Sequence, residues 1–184
     1  MPSDDYIEPR DAENERDTAQ VDEEHTDSDQ AEEGVTFASL GLPDEILAAI
    51  TDMGFRVPTP IQAAAIPPLL ELRDVVGIAQ TGTGKTAAFG LPLLAIVDAD
   101  ERDVQALVLA PTRELAMQSA QAIEDFAART ARLDVVPVYG GSPYGPQIGA
   151  LKRGAQVVVG TPGRVIDLIE KGALDLSNVR MLVL

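Results

Sequence analysis

The sequence predicts an α/β fold built on an open parallel sheet with flanking helices. Five short apolar runs, rich in Val, Leu and Ile and without polar alternation, are typical of parallel strands that are buried on both faces. Segments of helical length and pattern separate most of these runs, so strand and helix alternate along the chain. Ligands of such sheets bind beyond the carboxyl ends of the strands, where several polar motifs of this sequence lie.

The elements can be predicted in chain order. Apolar residues recur at helical spacing from Ile46 to Met53, which predicts a short amphipathic helix. A second helix starts near Pro60, and we expect Pro67 and Pro68 to interrupt it. The predicted strands are DVVGIA, ALVLAP, DVVPVYGG, AQVVVGTP and VRMLVL. Further helices are predicted over residues 113–131 and 163–171.

The first 34 residues differ from the rest in composition. They contain fourteen acidic residues and two arginines, and they carry most of the net charge of -16. A segment with dense like charge and few apolar residues cannot bury enough surface to offset its ordering entropy, so we predict that residues 1–34 are a disordered acidic tail. The tail is interpreted as a solubilising extension or as a regulatory arm that competes with an anionic ligand. The folded domain is then predicted over residues 35–184.

The composition excludes several kinds of site. The chain has no cysteine, which excludes disulfides and thiolate metal sites, and its single histidine, His25, lies in a polar stretch. Catalysis by a histidine-based triad is therefore excluded as well. The acidic N-terminus differs from a secretory signal, and no apolar run approaches the ~20 residues of a membrane span. We expect a cytoplasmic protein without membrane contact.

The motif AQTGTGKT, residues 79–86, is predicted to bind nucleotide phosphates. It lies between a predicted strand and a predicted helix, which is the context that a phosphate loop requires. Gly82 and Gly84 allow backbone N–H groups to close around phosphate oxygens. Lys85 can reach the β- and γ-phosphates, and the Thr86 hydroxyl can ligate Mg²⁺. The alternative is a glycine-rich turn with an incidental GKT, and the loop alone identifies neither base nor reaction.

A second motif indicates the base. Gln62 offers one donor and one acceptor from a single amide, which matches the N6 and N7 edge of adenine. By itself a glutamine in such a position is more often a helix-surface residue. However, the stretch GFRVPTPIQ, residues 54–62, together with the isolated Phe37, resembles the adenine-reading Q motif of the DEAD-box RNA helicases.

Four more motifs of that family follow in the family's order. AQTGTGKT resembles motif I, PTRELA at 111–116 resembles motif Ia, Gly140–Gly141 resembles the family's GG, and TPGR at 161–164 resembles motif Ib. Since the matches extend from Phe37 to Arg164, the sequence is identified as a member of the DEAD-box ATP-dependent RNA helicase family. The resemblance implies a RecA-like P-loop NTPase fold and an activity that couples ATP to RNA duplex unwinding or RNP remodelling.

The resemblance also implies which residues bind ATP and RNA. Phe37 would stack on adenine and Gln62 would read it, with Arg56 nearby and Thr59 supporting the phosphate loop. The residues implied for ATP binding are Phe37, Arg56, Thr59, Gln62, Ala79, Gln80, Thr81, Gly82, Thr83, Gly84, Lys85 and Thr86. Lys85 and Thr86 are also the implied catalytic residues, and Thr86 is the implied ligand of Mg²⁺. Those implied for the path of single-stranded RNA are Pro111, Thr112, Arg113, Gly140, Gly141, Thr161, Gly163 and Arg164. Hydroxyl, backbone N–H and guanidinium groups bind phosphate without reading sequence.

Two of these residues have a structural alternative. Arg113 and Arg164 each stand close to a predicted helix start and could form an ion pair there. Glu114 is expected to orient the neighbouring groups or to cap its helix.

Several parts that the resemblance implies are not in this sequence. In the family the strand resembling VRMLVL runs into Asp-Glu-Ala-Asp, whereas this chain ends at Leu184, one residue short of it. The strand with Ser-Ala-Thr, which the family places between DVVGIA and VRMLVL, is missing, and so is the second RecA-like domain. We therefore expect an incomplete sheet with an unpaired apolar edge, through which the fragment self-associates, and a chain that binds ATP but does not hydrolyse it.

Two other functions stay open at this point. One is a non-catalytic module, derived from such a helicase, that binds RNA or a partner protein. The other is a DNA-directed or general RecA-type ATPase, which GFRVPTPIQ disfavours because that stretch belongs to the pattern of RNA helicases.

Overall fold

A computed structural model of the protein describes residues 34–184. The predicted acidic tail lies outside the described residues, apart from Gly34, and so does His25. A 3-10 helix at Phe37–Leu40 comes first. The α-helices are α1 (Asp44–Asp52), α2 (Pro60–Leu70), α3 (Lys85–Ile96), α4 (Arg113–Phe126), α5 (Tyr144–Arg153) and α6 (Pro162–Glu170). The β-strands are β1 (Ala106–Leu109), β2 (Val135–Val138), β3 (Val157–Gly160) and β4 (Met181–Val183).

The strands form one parallel sheet in the order β2-β3-β1-β4, which confirms the predicted α/β architecture. Leu109 and Val138 both pair with Gly160, so β1, β2 and β3 end at the same level. Backbone hydrogen bonds extend this alignment, because Ala110 N donates to Gly160 O at 2.9 Å and Thr161 N donates to Val138 O at 3.0 Å. The three loops that follow these strands therefore leave the sheet side by side.

The central strands are buried on both faces, as their unbroken apolar runs predicted. Val157 and Val159 pack with side chains from α1 to α4, whereas Val158 packs with side chains from α5 and α6. All three valines are fully buried. Burial of each such side chain stabilises the fold by about 1.5–3 kcal/mol, so β3 and its neighbours form a firm support for the loops at their ends.

Helix α2 continues through two prolines, and the prediction that they interrupt it is wrong. The helix begins with Pro60 and runs past Pro67 and Pro68 to Leu70. Each internal proline removes one backbone hydrogen bond, but both stand in the last turn, so the helix has only two residues left to form. Ile66 is fully buried in the core immediately before them, and this packing holds the segment in place.

The other helix boundaries differ from the prediction by small amounts. Helix α6, Pro162–Glu170, is displaced by one residue from the predicted range. Helix α4 ends at Phe126, five residues early, where the chain changes to turns. No helix in the described part of the chain is both long and apolar enough to cross a membrane.

The run DVVGIA, residues 74–79, is not a strand, and that prediction is wrong. The segment has no secondary structure, and the side chains of Val76 and Ile78 are 95% and 96% exposed. Within residues 34–184 no strand pairs with it, and β4 pairs with β1 alone. An apolar run forms a strand only when a neighbour supplies hydrogen-bond partners, and among residues 34–184 no strand supplies them to residues 74–79.

Candidate functional site

The loop at residues 79–86 leads into the amino end of α3. Gly82 and Gly84 have φ angles of +79° and +84°, in the left-handed region that favours glycine. A Cβ on Gly84 would lie 2.3 Å from Gln62 Nε2, so this position also requires glycine for space. A Cβ on Gly82 would meet no atom within 4 Å, which shows that the loop opens outwards there. Backbone N–H groups in a turn before a helix are suited to bind phosphate.

Lys85 and Thr86 complete the phosphate loop. Lys85 Nζ donates to Ala79 O at 2.6 Å, across the loop. The lysine is exposed, and none of the ion pairs among residues 34–184 includes it. A phosphate oxygen would offer this ammonium group a stronger, charge-assisted hydrogen bond than the carbonyl does. Thr86 follows as the second residue of α3, where its hydroxyl can serve as a Mg²⁺ ligand. The residues present therefore fit a nucleotide phosphate with its metal ion.

Thr59 and Gln62, at the start of α2, hold the phosphate loop. Thr59 Oγ1 donates to Thr83 O at 2.9 Å, and Gln62 Nε2 donates to Gly84 O at 3.2 Å. Gln62 Oε1 accepts a hydrogen bond of 2.9 Å from Thr59 N, and Gln62 is 3% exposed. Both atoms of its amide thus have protein partners. The reading of adenine by this amide stays a prediction, whereas its contact with the phosphate loop is a feature that the sequence did not reveal.

The remaining residues implied for adenine differ in exposure. Phe37 is 5% exposed, and its ring packs against that of Phe55 with the centroids 5.8 Å apart. This burial leaves little of the ring face free, so stacking of Phe37 on adenine stays a prediction. Arg56 is exposed, and its Nη1 donates to Thr51 O at 3.1 Å at the end of α1. Of these two side chains, Arg56 is the one that a ligand can reach directly.

The motif PTRELA connects β1 to α4 and contacts the loop after β2. Thr112 caps α4, because its Oγ1 accepts a hydrogen bond of 3.2 Å from Leu115 N. Arg113 is exposed; its Nε lies 3.1 Å from Glu114 Oε1, and its Nη1 lies 3.5 Å from the Cβ position of Gly141. Arg113 and Glu114 therefore form the helix-start ion pair that was considered as the alternative for Arg113, while Thr112 performs the capping. The approach of Arg113 to Gly141 brings the first two of the three predicted RNA-binding motifs together. Contact between Arg113 and RNA stays a prediction.

Several residues of the predicted RNA-binding motifs have free space around them or a group without a hydrogen-bond partner among the described residues. A Cβ on Gly140 or on Gly163 would meet no atom within 4 Å. Thr161 precedes α6 and forms no capping hydrogen bond with its side chain, so its hydroxyl is available to a ligand. Pro111 is exposed beside them. Because the three strand ends are level, these groups form one accessible surface at the carboxyl edge of the sheet.

Arg164 has a different environment from the other predicted RNA-binding residues. It is 6% exposed; its Nη1 donates to Gln147 Oε1 and its Nη2 to Ser142 O, both at 3.0 Å. The guanidinium lies over the ring of Tyr144, 4.1 Å from the centroid. The ion pair considered as an alternative is not formed with any of the described residues. Contact between Arg164 and RNA stays a prediction.

Gln147 and Tyr144 are site residues that the sequence analysis missed. Both belong to α5, and one face of this helix, by its spacing, carries Tyr144, Gln147, Ile148 and Leu151. Gln147 is buried, and the other three are partly buried against the core. A glutamine in that otherwise apolar stripe was the available signal. Tyr144 Oη donates to Asp167 Oδ2 at 2.8 Å, and this hydrogen bond, followed by burial and the negative charge of the carboxylate, raises the pKa of the phenol.

Comparison with known proteins identifies the family. The family model for DEAD/DEAH box helicase matches residues 59–184, which is more than half of the chain. The chain belongs to the DEAD/DEAH box helicase family. It is 55% identical over 154 residues to the ATP-dependent RNA helicase DeaD of Mycobacterium tuberculosis and 54% identical over 154 residues to that of Escherichia coli K12. These alignments cover 84% of the chain but only 27% and 24% of the two relatives, so the chain spans about a quarter of their length.

Solved structures of the DEAD-box family share the fold. The crystal structure of a DEAD box protein from Methanococcus jannaschii superposes with a TM-score of 0.74 at 46% identity, covering 78% of this chain and 39% of that one. A hypothetical ATP-dependent RNA helicase from Sulfolobus tokodaii gives a TM-score of 0.69 at 42% identity, covering 77% and 40%. The sheet and helices of residues 34–184 are therefore those of a RecA-like DEAD-box domain.

Proposed function

We propose that this chain is the ATP- and RNA-binding N-terminal part of a cytoplasmic DEAD-box helicase that uses ATP for local unwinding of RNA or remodelling of RNP. The observation that supports this most directly is the hydrogen bond from Gln62 Nε2 to Gly84 O. It joins the residue expected to read the base to the loop expected to bind the phosphates. A bound adenine nucleotide would therefore touch both parts of one connected unit.

In the proposed ATP site, the backbone around Gly82 and the first turn of α3 bind the phosphates, and Lys85 moves its ammonium group from Ala79 O to a phosphate oxygen. Thr86 ligates Mg²⁺, which, when bound, neutralises negative charge on the phosphate oxygens. Gln62 reads adenine, Arg56 packs beside it, and Phe37 supplies an aromatic surface. The remaining loop residues line the phosphates: Ala79, Gln80, Thr81, Thr83 and Gly84.

In the proposed RNA site, the level ends of β1, β2 and β3 present groups that bind sugar and phosphate, so the affinity is independent of sequence. Arg113 supplies an exposed positive charge. The other residues of the proposed RNA site are Pro111, Thr112, Gly140, Gly141, Thr161 and Gly163. Arg164 also belongs to this proposed site, although its side chain is buried. Single strands, or one strand of a duplex, would lie across this edge.

We further propose that the 184-residue chain by itself binds ATP without hydrolysing it. Hydrolysis needs groups that position water and neutralise the transferring phosphoryl group. None of the residues proposed for the ATP site carries a carboxylate that could position the attacking water or help to hold the metal ion. Turnover would require a second RecA-like domain as partner. The exposed apolar segment at residues 74–79 supports self-association of the chain.

One experiment tests both proposals. Fluorescent ADP and GDP are titrated against the chain in Mg²⁺, and phosphate release from ATP is measured with and without RNA, with Lys85→Ala as the control. We expect ADP to bind more tightly than GDP, Lys85→Ala to weaken both, and phosphate release to stay at the level of Lys85→Ala. Equal affinities for ADP and GDP would contradict the adenine site. RNA-stimulated release above the control would contradict the proposed lack of turnover and also the alternative of a non-catalytic module.

A further inference from the structure

Two buried side chains, Gln147 and Arg164, donate hydrogen bonds to backbone carbonyls of the loop after β2, residues 139–143. Gln147 Nε2 donates to Tyr139 O at 3.2 Å, and Arg164 Nη2 donates to Ser142 O at 3.0 Å. The two side chains are joined to each other by the hydrogen bond from Arg164 Nη1 to Gln147 Oε1. Gly140 and Gly141 lie between the two anchored carbonyls and are exposed. One pair of buried side chains therefore determines where the backbone of the two glycines lies.

We propose that Gln147 is a positioning residue for RNA binding, which holds the glycine backbone at the RNA surface and keeps Arg164 directed at the same loop. This inference rests on the proposed RNA-binding function. The glycines have no side chain that could fix their own position, and flexible glycine backbone loses more entropy on binding than other residues do. Holding the loop in advance lowers that cost, because a pre-organised surface binds its ligand more tightly.

The chemistry of the site requires an amide at position 147. The carbonyl of Tyr139 needs a donor, and the guanidinium of Arg164 needs an acceptor, so a side chain that offers both at once is needed. Leucine offers neither group. Glutamate offers an acceptor, but a carboxylate has no donor for Tyr139 O. Gln147 is 6% exposed, so water cannot readily replace a lost partner.

The neutral amide also preserves the charge of Arg164. Among residues 34–184 this guanidinium forms no ion pair, its Nε has no hydrogen-bond partner, and its other contacts are Ser142 O and the face of Tyr144. A positive charge that is buried without a carboxylate remains available to attract a phosphate at the nearby glycines. A glutamate at position 147 would neutralise it.

Gln105 provides a matched control. It is also a buried glutamine, 1% exposed, and it also forms two hydrogen bonds, from Asp98 N and to Asp98 O, both of 2.8 Å. It stands immediately before β1, at the opposite end of the sheet from the loop after β2. Gln105→Leu and Gln147→Leu therefore each remove one donated and one accepted side-chain hydrogen bond, but only the second change touches the proposed RNA surface.

The test compares the 184-residue wild type with Gln147→Leu, Gln147→Glu and Gln105→Leu. Binding of poly-U and poly-A oligonucleotides is measured by fluorescence anisotropy, binding of fluorescent ADP by titration, and exchange of the backbone amides by hydrogen exchange without RNA. We expect Gln147→Leu to weaken RNA binding about tenfold, with ADP affinity unchanged and faster exchange at residues 139–142. Gln147→Glu should weaken RNA binding and also make it less dependent on salt. Gln105→Leu should leave RNA binding unchanged.

The possible contrary results can be told apart. If Gln147→Leu and Gln105→Leu reduce RNA affinity equally, or if exchange at residues 139–142 does not change in Gln147→Leu, the positioning role is wrong while the proposed RNA function stands. If the wild type binds no RNA, the proposed RNA function and the positioning role are both overturned. A variant that loses its fold is recognised because exchange then rises throughout the chain.

Discussion

The two halves of the site are supported in different ways. In the half proposed to bind RNA, called the RNA half here and comprising residues 111–164, each motif follows a paired strand, and the strands β1 and β3 are almost fully buried. In the half proposed to bind the nucleotide, called the nucleotide half here and comprising residues 54–86, the predicted phosphate loop follows the exposed segment 74–79 and is held by hydrogen bonds from Thr59 and Gln62. The comparison shows that hydrogen bonds from side chains, together with the start of α3, can hold a loop that no paired strand precedes.

This difference has a consequence for local stability. Segments with few buried contacts open more easily than segments that belong to a core. Residues 74–79 have exposed apolar side chains and no strand partner among the described residues, whereas β3 is packed on both faces. The nucleotide half should therefore be the more easily opened half of this chain, and binding of a nucleotide should stabilise it most.

The largest expected effect distinguishes core from edge. Leu168 is fully buried between α6 and the sheet, so Leu168→Ala should lower the free energy of unfolding by about 2–5 kcal/mol. Ile78 is 96% exposed, so Ile78→Ser should change it by less than about 0.5 kcal/mol. Urea denaturation measures both values. Sedimentation should show that Ile78→Ser reduces self-association. A large destabilisation by Ile78→Ser would mean that residues 74–79 are packed.

The RNA half could be predicted well from the sequence, for a physical reason. Its strands β1, β2 and β3 are mostly buried, so their residues are uniformly apolar, and their lengths are fixed by the turns that contain the motifs. The ends of β1, β2 and β3 therefore followed from the runs ALVLAP, DVVPVYGG and AQVVVGTP. Level ends in a parallel sheet then brought Arg113 and Gly141 together without further information.

The features that escaped prediction depend on contacts between distant residues. DVVGIA has the composition of a strand, but a strand exists only with a neighbour, which composition does not show. The contact from Gln62 to Gly84 joins residues 22 positions apart. The burial of Arg164 depends on Gln147 and Tyr144, which belong to another helix. Helix and strand patterns describe local order, so they leave such partners undetermined.

The second largest expected effect is on nucleotide affinity, and it tests the hydrogen bonds by which Gln62 holds the predicted phosphate loop. Gln62→Ala should remove the preference for ADP over GDP, which is about 1–3 kcal/mol for a bidentate contact to the base. It should also weaken both nucleotides, because Gly84 O and Thr59 N lose their partner. Gln118→Ala, a change of an exposed glutamine on α4 that lies outside the proposed ATP site, is the control. Fluorescence titration at matched salt and Mg²⁺ gives these affinities. RNA binding that falls as much as nucleotide binding would show that the two halves are not separate.

The smallest expected effect concerns single charges in the RNA half. Arg113→Ala should weaken binding of poly-U and poly-A equally and reduce the slope of log affinity against log salt by about 1, since one phosphate contact is lost. Arg129→Ala is the matched control, because Arg129 is similarly exposed, at 53% against 55%, and is also in an exposed ion pair, with Asp52. Arg129 lies beyond the other end of α4, about 20 Å from Arg113 along the helix. The substitution Arg129→Ala should therefore leave RNA binding unchanged. Anisotropy titrations at several salt concentrations measure both variants. Equal losses in the two variants would show that Arg113 acts only as one of several exposed positive charges and not through a contact at the proposed RNA surface. A strong preference for one oligonucleotide would contradict backbone recognition.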